Sequence, residues 1–428
     1  MNSALPCSDP FTPHEACAKM ARRFVLPIVS LILAASSHGG DWPQFLGPLR
    51  NGTSNESGLI QSLNDKPKFN WRASIGGGYS GPVVVGPRVV QFHGGDGRES
   101  LEAFEAPTGK SLWKVDYPCD YDGGMFREQG PRATPSVVGD DVITLGSDGV
   151  LQAVSLTKGE MRWRRSLHKE FEVPQSFFGV ASSPLVVDGL VLINLGARNG
   201  AGICAFRLKD GSLAWKATND AASYSSPVMA SLAGKPTALF FARTGLHGID
   251  PGTGTERFFF RWRARMDASV NAATPLVWNE HVFLTSSYGV GGILLDCRES
   301  EPKVVWKSAE GLAAHFNTPV KVSDHLYGID GRQEGGARLV CIEAQTGKLC
   351  WEVPDFGCAS IIAADGKLFL MRESGELVLC HASPESFKRL GAAMVEAKLC
   401  RAAPALSDGK LYLRSESELI SLNVKEKR

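Results

Sequence analysis

The sequence predicts an all-β protein, an eight-bladed β-propeller built from four-stranded antiparallel blades. The first observation is a recurring phrase, clearest at residues 103–113 and again at residues 341–351. The second is a small or hydroxyl residue, usually followed by proline, and then an apolar run before each copy. The third is the period, roughly 40–50 residues, which is typical of propeller blades.

Each repeat contains the signals for four strands. Most apolar runs are split by a short polar turn such as Asp188-Gly189 or Asp408-Gly409, and two apolar runs around such a turn indicate a β-hairpin. A third strand, a Thr-Gly or Asp-Gly turn and a fourth strand that carries the tryptophan follow. Seven blades is the alternative, because the last two repeats are the most degenerate. The eight apolar runs begin near Pro82, Pro135, Pro184, Pro227, Pro275, Pro319, Ile361 and Pro404.

A tryptophan column is expected to pack between adjacent blades, where burying each ring contributes about 2–3 kcal/mol. The structural tryptophans are Trp71, Trp113, Trp163, Trp215, Trp262, Trp306 and Trp351, with a degenerate eighth copy near residues 387–390. Trp71 precedes the first hairpin, and the last hairpin has no tryptophan strand after it. Residues 69–74 are therefore predicted to complete the last blade, which closes the ring and removes free sheet edges.

The N-terminal residues divide into two segments before the propeller at 67–428. In residues 1–38, Arg22 and Arg23 precede a short apolar run and small residues, the order of a secretory signal peptide, with the true start expected at Met20. The apolar run is too short for a confident membrane span, and no cysteine follows it to carry a lipid. Residues 39–66 are rich in Pro and Gly yet contain aromatic residues, which predicts an ordered extension. The chain is expected to be exported to the periplasm or the extracellular space.

Charge and cysteine usage limit the function classes. The formal net charge is +1, so no global field favours nucleic acid or an acidic membrane surface. None of the ten cysteines forms a C-x-x-C pair, which argues against zinc or thioredoxin-like sites. An exported protein can form disulfides, and Cys358 with Cys400 is one candidate pair. The alternative is that most cysteines are small core residues, as expected for Cys341, which takes a position filled by alanine in other repeats.

The recurring Ala-x-Asp/Glu-x-x-Thr-Gly-Lys-x-x-Trp phrase resembles the pyrroloquinoline quinone (PQQ) repeat over about residues 67–428. That superfamily includes quinoprotein alcohol dehydrogenases and the non-enzymatic propeller lipoprotein of the outer-membrane β-barrel assembly machine. The opening residues 41–52 look like the start of secreted quinoprotein-like propellers of planctomycete and verrucomicrobial type. The dehydrogenases have adjacent cysteines against the quinone, whereas this chain has no adjacent cysteines. The resemblance therefore implies the fold and leaves the cofactor open.

The residues just before each innermost strand are expected to meet at one mouth of the central channel. They are rich in hydroxyls and amides, with two arginines and one histidine, and could bind a small polar or anionic ligand. The alternative is that the hydroxyls cap strand ends and bind channel water. The predicted ligand-binding residues are Tyr79, Arg132, Tyr224, Asn271, His315, Asn317 and Arg401.

Other motifs give weaker signals. Asp116, Asp120 and Asp122 precede two glycines and resemble part of a calcium loop, but the distal glutamate of an EF-hand is missing and a solvated acidic loop is favoured. The histidines have no metal-ligand spacing, so no metal site is predicted. No catalytic residue is predicted, although His315 has a side chain suited to proton transfer near neutral pH.

The sequence thus favours an exported, monomeric propeller that acts as a binding scaffold without catalysis. Its partner is expected to be an envelope or extracellular protein or a small polar ligand, with neither nucleic acid nor a cofactor. The alternative is a small quinoprotein oxidoreductase that binds pyrroloquinoline quinone and calcium in the central channel.

Overall fold

The computed structural model describes residues 40–124, 129–174 and 179–426. The predicted signal region, residues 1–38, lies outside the described residues. Within the described residues the chain forms eight sheets arranged as a β-propeller, which confirms the predicted fold and blade number. Seven sheets are four-stranded and antiparallel, and the eighth has four antiparallel strands with a fifth added in parallel. Hydrophobic clusters lie mainly between neighbouring sheets, for example between the first and second blades and between the second and third.

The first four blades are consecutive along the chain. Blade 1 consists of β3 (Val83–Val85), β4 (Arg88–Gly95), β5 (Arg98–Glu105) and β6 (Ser111–Pro118). Blade 2 consists of β7 (Ser136–Val138), β8 (Asp141–Leu145), β9 (Val150–Ser155) and β10 (Met161–Ser166). Blade 3 consists of β11 (Leu185–Val187), β12 (Leu190–Asn194), β13 (Ile203–Arg207) and β14 (Leu213–Ala217). Blade 4 consists of β15 (Val228–Leu232), β16 (Lys235–Phe241), β17 (Gly245–Ile249) and β18 (Glu256–Arg261).

The remaining blades include two short or N-terminal strands, β1 (Thr53–Ser54) and β2 (Phe69–Ser74). Blade 5 consists of β19 (Leu276–Trp278), β20 (His281–Ser286), β21 (Gly291–Asp296) and β22 (Lys303–Ser308). Blade 6 consists of β23 (Val320–Val322), β24 (His325–Asp330), β25 (Arg338–Glu343) and β26 (Leu349–Val353). Blade 7 consists of β27 (Ala359–Ala364), β28 (Lys367–Arg372), β29 (Glu376–His381) and β30 (Arg389–Met394), with β1 added. Blade 8 consists of β31 (Ala405–Ser407), β32 (Lys410–Arg414), β33 (Glu418–Asn423) and β2.

Blade 8 joins the two ends of the propeller. β2 pairs antiparallel with β33, with Trp71 opposite Ser421 and Ser74 opposite Glu418. The N-terminal strand therefore occupies the outermost position of the last blade, as predicted from the position of Trp71. Because both ends share one sheet, the ring closes through backbone hydrogen bonds as well as side-chain packing.

Hydroxyl groups before the innermost strands join neighbouring blades. In five successive blades, the backbone N–H of the residue before the proline donates to a serine or threonine hydroxyl in the next blade. These groups bond to protein, so the hydroxyl residues at the mouth have a structural role around half of the ring. The bonds run from Gly81 to Thr134 (2.9 Å), Thr134 to Ser183 (2.9 Å), Ser183 to Ser226 (3.0 Å), Ser226 to Thr274 (3.3 Å) and Thr274 to Thr318 (2.9 Å).

The tryptophan column forms a second ring of contacts between blades. Each indole N–H donates to a carbonyl in the turn of the following blade, as between Trp215 and Pro251 at 3.0 Å. The glycine of that turn, Gly254, has a φ of +75°, and an added Cβ would lie 2.6 Å from the ring of Trp215. Glycine therefore suits both the backbone conformation and the close approach of the ring. In the described residues six such bonds are present, donated by Trp71, Trp113, Trp163, Trp215, Trp306 and Trp351.

Trp262 packs against the hydrophobic cluster between blades 4 and 5, as predicted, but it does not occupy the tryptophan position of this column. In blade 4 the residue opposite Gly248, next to the β-bulge, is Phe258. Trp262 follows the end of β18, and its indole nitrogen is buried without a hydrogen-bond partner in the described structure. Trp262 was assigned to the column by its residue type. The column residue lies four positions after the turn glycine, and in blade 4 this position after Gly254 is Phe258.

The junction between blades 7 and 8 has no aromatic ring of this kind. Gly391 stands opposite Leu379 beside the bulge, in the position that tryptophan takes elsewhere. The N-terminal extension covers this position, because Leu63 forms a bridge with Gly391 and is buried. The backbone N–H of Ile60 donates to Val424 at 2.9 Å, which replaces the missing indole bond.

Upstream of this junction, the extension crosses the channel. Trp42 pairs with Val84 of blade 1 and is 2% exposed. The Arg50 guanidinium donates to the carbonyls of Ser183 and Pro184 in blade 3, each at 3.0 Å. β1 then pairs in parallel with β27 of blade 7. The extension thus connects blades on opposite sides of the channel.

In the part of the chain that the structure describes, helical structure is confined to connections. Among the described residues these are α1 (Leu167–Glu170), which follows β10, and a short 3-10 helix (Gln333–Gly335) between β24 and β25. Within the same residues, no helix has the length and apolar character needed to cross a membrane.

Candidate functional site

A cavity of about 210 Å³ opens where the residues before the innermost strands converge. Its apolar lining includes Phe45 and Leu46 of the extension together with Val270, Phe316 and Ile361. Six of the seven predicted ligand-binding residues line the same cavity. They are Tyr79, Arg132, Tyr224, His315, Asn317 and Arg401.

The seventh residue, Asn271, is not part of the lining and is only 1% exposed. Its side-chain amide donates to the carbonyl of Ala242 at 2.8 Å, and its backbone N–H donates to the hydroxyl of Ser223 at 2.9 Å. The structure therefore places Asn271 in a buried network that joins blades 4 and 5. The position of Asn271 in the sequence, shortly before Pro275, did not indicate that its amide would be buried.

Two arginines flank one tyrosine at the rim. The guanidinium groups of Arg132 and Arg401 each lie 5.4 Å from the ring centre of Tyr79, a cation–π distance. Arg401 also forms an ion pair with Glu373, with Nε 3.0 Å from Oε1, and its Nη1 lies 3.4 Å from the hydroxyl of Tyr79. These contacts fix the direction of both guanidinium groups at the edge of the cavity.

Tyrosines are concentrated at this mouth. Tyr121 is a hydrogen-bond neighbour of Arg132, and burial raises the pKa of its phenol. The hydroxyl of Tyr288 lies 2.8 Å from Nε2 of His315, and Arg332 lies 4.8 Å from its ring centre. Of the seven tyrosines in the chain, Tyr79 and Tyr224 line the cavity, and Tyr121 and Tyr288 contact residues of its lining.

His315 has a hydrogen-bond partner at each ring nitrogen. In addition to Tyr288 at Nε2, the side chain of Gln333 lies 3.0 Å from Nδ1. Burial lowers the pKa of His315, and the nearby guanidinium groups of Arg332 and Arg401 lower it further. The imidazole is therefore neutral near pH 7, with both ring nitrogens held by protein groups. This arrangement orients the ring and leaves it poorly placed to take a proton from a ligand.

Sequence reasoning missed the contributions of Phe45, Leu46 and Gln333 to the lining. Gln333 belongs to the 3-10 helix between two strands of blade 6, so its position depends on a connection whose conformation is not evident from the repeat. The aromatic and apolar residues of the extension did predict an ordered segment, but nothing in their spacing indicated that they would form part of a cavity.

A separate polar cluster lies beneath the loop after blade 1. Ligand atoms of Glu99, Cys119 and Asp148 lie within 4.8 Å of one another. Glu99 is fully buried, and it accepts hydrogen bonds from the hydroxyl of Tyr117 at 2.5 Å and from the backbone of Ser147 at 2.9 Å. Burial raises the pKa of Glu99 and of Asp148 and raises that of Cys119 to about 12. The hydrogen bonds from Tyr117 and Ser147 account for the burial of the Glu99 carboxyl group.

The carboxylates of Asp116, Asp120 and Asp122 are exposed and are not part of this cluster. Asp116 accepts a hydrogen bond from Ser100 at 2.6 Å, and Asp122 accepts one from the backbone of Gly124 at 2.9 Å. These contacts agree with the favoured interpretation of a solvated acidic loop.

Comparisons with known proteins give one consistent family. The family model described as outer membrane protein assembly factor BamB matches residues 97–353. The BamB protein of Shewanella oneidensis is 20% identical over 370 residues, which cover 82% of this chain and 87% of the relative.

Two solved structures extend the comparison to the fold. BamB from Moraxella catarrhalis has a TM-score of 0.61 at 13% identity and covers 83% of this chain and 100% of its own. Quinohemoprotein alcohol dehydrogenase from Comamonas testosteroni has a TM-score of 0.67 at 13% identity and covers 92% of this chain and 82% of its own. At this level of identity, the similarities establish the propeller fold and do not distinguish a scaffold from an enzyme.

Proposed function

The chain belongs to the family described as outer membrane protein assembly factor BamB, and we propose that it is an exported scaffold that binds a partner through its arginine- and tyrosine-rimmed cavity. The partner is an envelope protein that presents an apolar side chain next to an acidic group. The family membership, the predicted signal region and the chemistry of the cavity support this proposal.

The single observation that carries it is the composition of the mouth. Arg132, Arg401 and Tyr79 form an oriented cluster above an apolar lining that includes Phe45 and Leu46. Arginine and tyrosine are enriched among the residues that dominate protein interfaces, because each combines a large contact area with directional hydrogen bonding. A neighbouring pair of guanidinium groups also favours a carboxylate on the partner.

A binding role fits this site better than catalysis. His315 is held at both ring nitrogens by Tyr288 and Gln333, and a general base must be free to accept a proton from the reacting group. We therefore propose binding without turnover. In keeping with the family description, the bound partner takes part in outer-membrane protein assembly.

The quinoprotein alternative is supported by the fold similarity to the Comamonas enzyme, but the residues of the cavity do not fit its calcium ion. Calcium is held mainly by carboxylate and carbonyl oxygens. The described lining of this cavity contains Arg132 and Arg401 and lacks Asp and Glu. Two guanidinium groups would repel a divalent cation, so this cavity is unsuited to a bound calcium ion.

Site-specific photocrosslinking tests the proposed site in living cells of the source organism. A photoreactive phenylalanine analogue replaces Tyr224 at the mouth or Leu112, an exposed residue on the outer strand of blade 1. We expect one discrete crosslinked protein from position 224 and none of the same mass from position 112. Introducing Arg132→Ala and Arg401→Ala should reduce the amount of that product by at least about tenfold, because each lost charged hydrogen bond costs about 1.5–3 kcal/mol.

A strain of the same organism that lacks the protein tests the proposed role in outer-membrane protein assembly. We expect loss of the protein to lower the amounts of assembled outer-membrane proteins, with the chain itself recovered from the envelope fraction. Crosslinking that is equal at positions 112 and 224 would place the binding surface elsewhere. Quinone- and calcium-dependent dye reduction by the purified protein would replace the scaffold proposal with an enzymatic one.

A further inference from the structure

A β-bulge places two cysteines opposite one another in blade 6. Cys341 on β25 pairs with Trp351 on β26, while the next residue, Ile342, pairs with Leu349. Cys350 is therefore the extra residue of the bulge, and it faces Cys341 together with Trp351. The same shift in register occurs between the third and fourth strands of all eight described blades.

Blade 8 shows that side chains at these two positions meet. There the extra residue is Asn70 and the opposite residue is Ser421, and the amide nitrogen of Asn70 lies 3.1 Å from the hydroxyl oxygen of Ser421. In blade 6 burial raises the pKa of the Cys341 thiol, and the neighbouring Cys350 thiol raises it further. The register of the third strand and the outer strand thus places the two cysteines next to each other across the bulge.

The two thiols differ in access to solvent. Cys350 is exposed on the outer strand, whereas Cys341 is fully buried beneath it. Burial raises the pKa of the Cys341 thiol to about 12, so Cys350 is the thiol that reacts first with a reagent in solution. Among the described blades, blade 6 alone has cysteine at both positions. The corresponding pair in blade 1 is Ala103 and Leu112.

We propose that Cys341 and Cys350 form a disulfide that joins the third and fourth strands of blade 6 when the protein meets a disulfide oxidant. The Cys350 thiolate attacks one sulfur of the oxidant and releases the other as a thiolate, which gives a mixed disulfide. The Cys341 thiolate then attacks the Cys350 sulfur and releases the second thiolate. The two cysteines lose two protons and two electrons, and the oxidant is reduced to two thiols.

The occurrence of this bond in cells rests on the exported location proposed above, because disulfides persist in oxidising compartments. The chemical step does not depend on that location. A test on purified protein therefore separates the two ideas, and recovery of the oxidised protein from cells tests the location independently.

The test treats the purified full-length protein with oxidised glutathione, blocks the remaining thiols and maps the peptides without reduction. Cleavage after Arg, Lys and Glu yields residues 339–343 with Cys341 and residues 349–352 with Cys350, and separates both from Cys358. We expect these two peptides to be linked and the linked mass to be two hydrogen atoms below their sum. Reduction should restore both free peptides, and oxidation should raise the melting temperature of the wild type but not that of Cys350→Ser.

Two variants complete the design. Cys350→Ser should abolish the link and leave Cys341 unmodified, because the buried thiol cannot be reached directly. Ala103→Cys with Leu112→Cys, introduced together in the Cys341→Ser and Cys350→Ser background, should form the equivalent bond in blade 1. A Cys350–glutathione adduct that persists, a link to another cysteine, or unlinked peptides in the wild type would each overturn the proposal.

Discussion

The backbone N–H of Ile60 donates to the carbonyl oxygen of Val424 at 2.9 Å, in the place where other blade junctions have an indole N–H. Six tryptophans make the corresponding bond elsewhere among the described residues, as from Trp71 to Ala106. The extension thus supplies the hydrogen-bond donor, which is the N–H of Ile60. It also supplies the apolar side chain of Leu63 beside Gly391, where other blades have an indole ring. Residues 40–66 are in this sense part of the propeller.

Two truncations should separate the roles of the extension and of β2. Removal of residues 39–66 takes away Leu59 and Leu63, both buried, and should lower the melting temperature while the ring stays closed. Removal of residues 39–75 also takes away β2 and should cause aggregation, because β33 becomes an unpaired edge. Thermal melts and size-exclusion chromatography of both variants measure this difference. Equal behaviour of the two would contradict closure through β2.

Trp215→Phe should lower the free energy of unfolding by about 1–2 kcal/mol, because the carbonyl of Pro251 loses its indole donor. Trp262→Phe is the matched control, since the Trp262 indole nitrogen has no hydrogen-bond partner in the described structure. Its effect should be clearly smaller. Urea unfolding followed by circular dichroism compares them, and a larger loss for Trp262→Phe would refute the assignment of Phe258 to the column.

The stability contributed by His247 should depend on pH. Its Nε2 lies 3.0 Å from Asp220 and its Nδ1 lies 2.5 Å from Glu256. Burial lowers the pKa of His247, but hydrogen bonds to both carboxylates outweigh burial and raise it above 6.5. For Asp220, burial raises the pKa, but hydrogen bonds from His247 and Thr244 outweigh it and lower the pKa below 3.8.

The pH dependence of stability follows from the raised pKa of His247 and the lowered pKa of Asp220. The raised pKa of His247 gives stability that is complete below pH 6.5 and is lost as the pH rises through the folded-state value. The lowered pKa of Asp220 gives stability that is present above pH 3.8 and is lost as the pH falls through its folded-state value. His247→Gln should therefore destabilise the protein most near pH 5 and least near pH 9. Urea unfolding at both values measures this, and a pH-independent loss would argue against a charged His247.

Asn271 and the rim arginines should respond differently to substitution. Asn271→Ala removes a buried amide that donates to Ala242 and should destabilise the protein by about 1–3 kcal/mol. Arg132→Ala changes a half-buried rim residue and should leave the melting temperature nearly unchanged while weakening partner binding. Thermal melts and the crosslinking yield measure these two effects. If Asn271→Ala lowered the crosslinking yield without changing the melting temperature, Asn271 would belong to the binding site.

Thr274→Val should weaken the contact between blades 4 and 5, because Thr274 Oγ1 accepts the backbone N–H of Ser226 at 3.3 Å. Valine preserves the shape but leaves that buried donor without an acceptor, at a cost of about 1–3 kcal/mol. Thr274→Ser retains the hydroxyl and serves as the control. Hydrogen exchange at the Ser226 amide should accelerate in the valine variant and not in the serine variant.

The fold was largely predictable because its signals recur in most of the repeats. The Thr-Gly turn before Trp113 and the polar turn at Asp188-Gly189 each follow from local backbone preferences. The position of Trp71 before the first hairpin was enough to predict the shared blade. The error at Trp262 arose where a repeat replaced tryptophan with Phe258, so that the residue type no longer marked the position.

Only those residues of the channel mouth whose positions are set by the repeat could be predicted from the sequence. Arg132 and Arg401 occupy equivalent loop ends, and the circular arrangement brings them to one axis. Contacts outside the repeat were not predictable. Gln333 reaches His315 from a short 3-10 helix, and Phe45 reaches the cavity from an extension whose path depends on tertiary pairing with blades 1 and 7.

The shared blade has a consequence for the order of folding. Asn70 and Ser421 meet across β2 and β33, although they are 351 residues apart in the sequence. During synthesis β2 emerges before nearly all of the propeller and must wait for β33, the last strand to be made. Long-range pairing of this kind slows folding and prolongs the exposure of unpaired strands. Ring closure should therefore be the final and slowest step, and the nascent chain is most prone to aggregation just before it.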